Sequence, residues 1–326
     1  MTDAFEPIFV GIDVSKETLE VALDDKSKTQ TYGNNNAGLK ELITRLKALG
    51  NRVAVVLLEA TGGLEQPAAA ALCASGFAVM VVNPRQAHDF AKSMGYLAKT
   101  DSTDARALSH FARTLYTSDK RERLLYKLPT PEQEILLAMV TRRSQLIGMR
   151  VAESNRLASA HTSQRKSIKV ILRALDRQIG QIDEDAARLL KDHFKDKLDL
   201  LKGLKGVGPG TQAMLMAALP ELGELNQREI GKLVGVAPLN CDSGKFKGKR
   251  KTWGGRSNVR AALYMATLSA TSHDPTIKAF YQRLLLAGKP KKVALTACMH
   301  KLLTIINAVI KSGMPWKASY PQGAHA

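Results

Sequence analysis

The chain has 326 residues, 44% of them hydrophobic, which is enough for two or three domains with real cores. Its three cysteines, Cys73, Cys241 and Cys298, are far apart and form no Cys-x-x-Cys pair. That argues against structural zinc and a disulfide framework, and fits a reducing, cytoplasmic compartment. The formal charge of +18 is unevenly spread: residues 1–120 hold 13 Lys/Arg and 14 Asp/Glu, and residues 121–326 hold 35 and 16. A neutral head joined to a strongly basic remainder points to a polyanionic partner, with nucleic acid a better fit than membrane. No basic leader with an apolar core opens the chain, and no apolar stretch approaches the length of a membrane span, so no membrane partner is expected.

Residues 8–120 read as α/β. Phe9–Ile12 is a short apolar strand, and the alternating Thr18–Leu23 after a tight turn predicts an antiparallel partner. Thr29–Tyr32 makes a third strand before the turn-rich Gly33-Asn34-Asn35-Asn36. Leu39, Leu42, Ile43, Leu46 and Leu49 have helical spacing, and Gly50 stops that helix. The continuous apolar run Val53–Leu58 predicts a central strand covered on both faces. Gly62-Gly63 turns the chain into an alanine-rich helix over 65–75, and Phe77–Val82 is a further buried strand that Asn83-Pro84 ends. Three meander strands followed by alternating helices and strands is the order of an RNase H-like sheet.

Asp13 ends the first apolar run and Glu59 ends the central one. A charged residue at the end of a buried strand is held at the sheet rim. Asp101 and Asp104 open a third segment three residues apart, so on a helix they share a face. Four converging carboxylates repel one another unless a divalent cation joins them, and Mg²⁺ prefers such hard oxygen ligands. The set suggests phosphate-ester chemistry. Each acid alone has a bland reading as a cap or turn residue, and Asp101 could be the N-cap of a helix running to Arg113. His88, His110 and His300 have no metal-ligand spacing and read as surface or core histidines.

Residues 121–198 are poor in glycine. Apolar residues at helical spacing predict one helix over about 131–160 and a second through Ile168 to Leu189, an antiparallel coiled-coil arm or a plain bundle core. Arg142, Arg143, Arg150, Arg156, Arg165, Lys166 and Lys169 give it a basic side. Residues 199–326 form a third, mostly helical unit. There Gly206-Val207-Gly208 resembles a helix-hairpin-helix turn, whose glycines would let the backbone approach a phosphate. A loop from Pro238 to Gly255 follows, with helices predicted at 256–271, 274–287 and 291–311.

That loop contains one serine, Ser243, ringed by Lys245, Lys247, Lys249, Arg250 and Lys251, with Arg256 and Arg260 beyond. Cations stabilise charge building on a phosphate, but a serine hydroxyl is a poor nucleophile without an activating environment. Read in isolation, this is a basic phosphate-binding loop with a spectator serine. Trp253 could stack on a base or simply pack.

Taken together, Gly11-Ile12-Asp13-Val14-Ser15-Lys16, Leu58-Glu59-Ala60-Thr61-Gly62, Asn83-Pro84 and Lys99-Thr100-Asp101-Ser102-Thr103-Asp104-Ala105 resemble the N-terminal domain of the DEDD insertion-sequence transposases. That is the one-ten insertion-sequence family, which includes the Piv-type DNA invertases. Gly206-Val207-Gly208, Gly235-Val236-Ala237-Pro238, Ser243-Gly244 and Arg260-Ala261-Ala262-Leu263-Tyr264-Met265 resemble its C-terminal domain. The resemblance implies a RuvC-like RNase H fold with Asp13, Glu59, Asp101 and Asp104 as an Mg²⁺-binding tetrad. It also implies Ser243 as a nucleophile forming a phosphoserine link to DNA, and so reverses the isolated reading of that serine. It implies further a homo-oligomer, a dimer of dimers, in which the tetrad of one protomer meets the serine of another. Target and donor DNA would be paired by a structured non-coding bridge RNA, so that pairing reads sequence and protein reads backbone. The runner-up reading is a Holliday-junction-type endonuclease in which metal-bound water attacks. Where many relatives have a Ser-Lys pair before the last glycine, this chain has Thr252-Trp253-Gly254-Gly255-Arg256, which leaves Arg256 or Lys251 to replace a lysine contact.

Overall fold

The computed structural model describes residues 6–119, 121–238, 242–243, 246–248 and 250–316. They form two compact units, Met1–Leu128 and Pro129–Ala326.

The first unit is a five-stranded sheet in the order β3-β2-β1-β4-β5. Strands β1 (Ile8–Val14), β2 (Thr18–Ala22) and β3 (Gln30–Gly33) are an antiparallel meander, while β4 (Val53–Glu59) and β5 (Val79–Val82) run parallel to β1. The alternation of β4 shows why its sequence is continuously apolar. Val56 and Leu58 enter one core with Val10, Ile12 and Val14, and Val55 and Leu57 enter the other with Phe9. Helices α1 (Asn36–Ala48) and α2 (Gln66–Ala74) cover the first face through Leu39, Leu42, Leu46 and Leu72. The second face is covered by α3 (Pro84–Ser93) through Ala87 and by α4 (Asp101–Tyr116) through Leu108 and Ala112. A short helix, α5 (Arg121–Leu124), leads to an antiparallel bridge between Leu125 and Met80. The five expected strands are present with bounds moved by one or two residues, α4 runs to Tyr116 and not to Arg113, and α3 and α5 add to the expected elements.

The described part of the second unit is helical apart from one two-residue strand pair. The long helices α6 (Pro131–Ser159) and α7 (Thr162–His193) pack on each other, cross-linked on their exposed sides by Arg143–Asp183 at 2.5 Å and by Arg150–Asp176. At one end of this pair, Leu136, Val140, Ala186 and Leu190 share a core with α8 (Lys195–Leu201), α9 (Pro209–Ala218) and α10 (Gln227–Val234). The same core includes α11 (Ser257–His273), α12 (Pro275–Leu286) and α13 (Lys291–Ser312). No described residue between Val140 and Ala186 joins it. Among the described residues, α13 is long and apolar enough to cross a membrane, which corrects the expectation that no stretch approached that length. Its apolarity has a local cause: half of that window is buried, with Cys298, Met299, Leu302, Leu303 and Ile306 in the core.

Candidate active site and nucleic-acid interface

Asp13 and Glu59 stand at the carboxyl ends of neighbouring parallel strands. Ile12 pairs with Leu58 in the β1–β4 register, so the two acids lie one step further on. Side chains alternate along a strand, and Ile12 and Leu58 face the α1/α2 side. Asp13 and Glu59 therefore face the side that α4 covers, where both are half-buried.

What brings Asp101 and Asp104 there is the close seating of α4 on β1. A Cβ at Gly11 would stand well inside 3.0 Å of the Ala105 carbonyl oxygen and the Ser109 amide nitrogen. Only glycine lets helix backbone and strand backbone touch at this point. Ser109 Oγ pins the contact by donating to the buried Phe9 carbonyl at 2.6 Å. With α4 fixed at Ala105, its first turn overhangs the end of β1. Asp101 is not the N-cap of this helix: Thr100 is, its side chain accepting from the Thr103 amide at 3.2 Å. The capping role is thus filled, and both acids of the first turn remain available.

The electrostatics record the convergence. Asp13 is pushed up from its ordinary 3.8 to about 6, first by burial, then by the charges of Asp104 and Asp101. Glu59 is raised by burial and then by Asp13 and Asp104, against weaker opposition from Lys99 and His88. Asp104 is raised by burial and by Asp101, with Lys99 and His88 pulling the other way. Burial leads in every case; repulsion among the acids adds to it at Asp13 and Glu59, while at Asp104 the Lys99 ammonium opposes the rise more than Asp101 adds to it. The His88 imidazole that opposes the rise at Glu59 and Asp104 is exposed. Among the described residues no three His, Cys, Asp or Glu side chains stand as a group that would hold a metal ion. The donor chemistry of the four acids, all oxygen and mutually repelling, nonetheless suits a hard divalent cation.

Glu65 is a residue that sequence reading passed over. It is 3% exposed, and its Oε2 accepts from the Thr61 and Gly63 amides at 2.8 and 2.9 Å. It ties down the loop that begins immediately after Glu59. The available signal was an acid following Gly62-Gly63, where turn amides lack partners.

In the second unit Ser243 lies on a small hairpin. The backbone of Asp242–Ser243 pairs antiparallel with Phe246–Lys247, Ser243 opposite Phe246. Sequence reading took this stretch as loop, and Gly244 lies outside the described residues. Lys245 and Lys249 lie outside the described residues, and of Ser243 and Lys247 the backbone is described. Arg250 and Lys251 are exposed. Arg256 and Arg260 instead have internal partners. Arg256 grips Glu221 bidentately, Nη1 to Oε2 at 2.5 Å and Nη2 to Oε1 at 2.6 Å. Arg260 Nη1 donates to the Val234 and Gly254 carbonyls. Gly206 faces α11, where a Cβ would collide with the Ala266 carbonyl and the Ala270 amide. Of the two turn glycines only Gly208, exposed before α9, offers the open backbone expected of both. Trp253 is 47% exposed.

Comparison with known proteins gives these features a common source. Residues 10–163 match the DEDD transposase family model, described as a transposase, and residues 198–282 match the transposase IS116/IS110/IS902 family model. The chain belongs to this family of DNA-rearranging insertion-element transposases. Among individual relatives, it is 27% identical over 319 residues to a pilin gene-inverting protein of Moraxella bovis, covering 94% of this chain and 97% of the relative. The pilin gene-inverting protein of Moraxella lacunata matches to the same extent. An insertion element IS110 protein of Streptomyces coelicolor is 22% identical over 159 residues, covering 48% of this chain and 39% of that one.

Proposed function

We propose that this chain is a DNA recombinase with a RuvC-like acidic centre and a serine nucleophile, moving or inverting DNA as its relatives' names describe for them. The observation that carries the reading is geometric: Asp13 and Glu59 end adjacent parallel strands on the face that α4 covers, and the close seating of α4 at Gly11 brings Asp101 and Asp104 of its first turn to that rim. Asp13, Glu59, Asp101 and Asp104 would hold Mg²⁺, which would neutralise charge developing on a scissile phosphate. The four side chains would have to draw together around it.

Ser243 would attack that phosphate. The Oγ–P bond forms as one P–O bond of the strand breaks and a strand-end hydroxyl leaves, so the link keeps a phosphodiester available for rejoining. Lys245, Lys247, Lys249, Arg250 and Lys251 would bind the DNA backbone beside it, with Gly208 at a helix N-terminus as a further contact. The exposed basic side of α6 and α7 supports a structured RNA as guide, with the tetrad of one protomer working with Ser243 of another in a dimer of dimers. On this reading the chain divides by role into 1–120, 121–198 and 199–326, and works in the cytoplasm.

Ser243→Ala tests the reading. In cells carrying the gene with its native flanking DNA, the wild-type chain should be recovered covalently joined to DNA after denaturation, and the variant should not. Normal cutting and joining by Ser243→Ala would instead establish a metal-dependent endonuclease that uses water. Asp104→Asn should abolish strand cleavage under either chemistry, and its unaffected recombination would sink both.

A further inference from the structure

The segment that carries Ser243 leaves the fold at the end of α10 and returns at the start of α11, and its two ends are fastened together. Gly235 ends α10 in the left-handed conformation, φ +79°. Gly254 and Gly255 lie directly against it. A Cβ at Gly235 would collide with the Gly254 carbonyl, and one at Gly255 with the Gly235 amide and the Leu233 carbonyl, each well inside 3.0 Å. The Arg256 amide donates to the Leu233 carbonyl at 3.1 Å. Outgoing and incoming backbone therefore touch with no room for a methyl group between them.

Two guanidiniums hold this junction from the side. Arg260 donates to carbonyls on both of its strands, Val234 and Gly254. Arg256 reaches away from the loop to the segment after α9, where it forms the two-toothed pair with Glu221 and a third bond to the Ala218 carbonyl at 3.0 Å. Bidentate pairs of this kind fix orientation as well as position. The pair is two-thirds or more covered, with 33% of the Arg256 side chain and 26% of the Glu221 side chain exposed. A guanidinium gripped on both arms in this way is poorly placed to bind a phosphate.

We infer that Glu221 and Arg256 are positioning residues for the serine loop: they anchor the returning end of its stem to the segment that follows α9, and so fix where the hairpin bearing Ser243 stands. This rests on Ser243 being the nucleophile. A loop whose ends are fixed samples far fewer placements of its tip than one with a free end. A misplacement of about 1 Å costs a reacting group on the order of 10²-fold in rate. Loss of the pair should therefore act on the covalent step and leave DNA affinity alone.

The test uses the full-length chain in three measurements: covalent adduct recovered from cells carrying the native flanking DNA, affinity for a plain DNA duplex across a salt series, and amide hydrogen exchange. The variants are Glu221→Gln, which keeps volume and removes charge, and Arg256→Lys, which keeps charge and removes the fork. Each should lower adduct by about 10²-fold and speed exchange at 233–236 and 254–256, with duplex affinity and its salt slope unchanged. The exchanged pair Glu221→Arg with Arg256→Glu should recover part of the adduct. Adduct at the wild-type level in Glu221→Gln overturns the inference. So does a loss in Arg256→Lys alone that follows weaker duplex binding and a shallower salt slope, the mark of a phosphate contact. Adduct that persists in Ser243→Ala refutes the serine reading by itself, while the exchange result still decides whether the pair anchors the stem.

Discussion

Replacing Asp13 with asparagine should make the metal-free protein more stable while destroying its activity. Asp13 is raised from 3.8 to about 6 in the folded chain, so the folded state binds this proton more tightly than the unfolded state. The stability contributed by protonated Asp13 is complete below about pH 4 and is lost as pH rises through about 6. At pH 8 the wild-type chain carries the full penalty of an ionised, half-buried carboxylate beside two others. At about 1.36 kcal/mol per pKa unit the ceiling is about 3 kcal/mol. Partial exposure screens the group, and discounting by about half leaves roughly 1.5 kcal/mol. The neutral amide of the variant would carry none of it. Thermal melts of full-length Asp13→Asn in EDTA at pH 8 should therefore show Tm higher by about 3–6 °C. The difference should vanish as the buffer approaches pH 4. Magnesium should reverse the order. Bound to the folded wild-type chain it stabilises by about 2.7 kcal/mol at a hundred times its dissociation constant, and the variant should gain much less. A variant less stable than wild type at pH 8 without metal would refute the reasoning, because the Asp13 carboxylate would then be a structural acceptor. An equal response of both chains to Mg²⁺ would refute its role as a ligand.

Three further changes probe the supports of the two units. Gly11→Ala forces a methyl between β1 and α4 where the nearest backbone atoms already touch, and should cost about 1–3 kcal/mol in a denaturant titration. Its effect on strand cleavage should exceed its effect on stability, because the helix that shifts carries Asp101 and Asp104. Glu65→Ala leaves the Thr61 and Gly63 amides without their acceptor in a buried loop, and should cost about 1–3 kcal/mol by the same titration. Thr267→Val removes a fully buried hydroxyl that has no hydrogen-bond partner, and should be neutral or stabilising by up to about 1 kcal/mol.

The strands and helices of the first unit were legible because their signals are local. Val53–Leu58 reads as a covered strand from its own residues, and Asp13 and Glu59 stand out because a charge ends an apolar run. What the sequence did not disclose is how the acids are brought together. That depends on Gly11 meeting Ala105, and on Ser109 reaching the Phe9 carbonyl 100 residues away. Nothing near Gly11 in the chain says that its missing side chain makes room for a helix. The choice of N-cap was open in the sequence for a related reason. Thr100 and Asp101 are both good caps by type, and only the backbone of Thr100, extended at φ −143° and ψ 150°, decides between them.

The basic residues of the second unit illustrate a different limit. The sequence counts charges without showing how they are paired. Residues 121–326 have 35 cations and 16 acids. However the acids are paired inside the fold, they can neutralise no more than 16 of those cations. The excess must remain for solvent or a polyanion, so the inference to nucleic acid is independent of the structure. The choice of individual residues is not. Arg256 stands in the most basic stretch of the chain and reads there as a phosphate contact, yet its partner is Glu221, 35 positions earlier. Arg143 and Arg150 likewise face Asp183 and Asp176 across the helical pair. Each such pairing shifts the unneutralised charge elsewhere, and around Ser243 it shifts it from Arg256, paired with Glu221, toward the exposed Arg250 and Lys251. Substitutions there should weaken duplex binding and flatten its salt dependence, whereas those at Glu221 and Arg256 should spare binding and slow the covalent step.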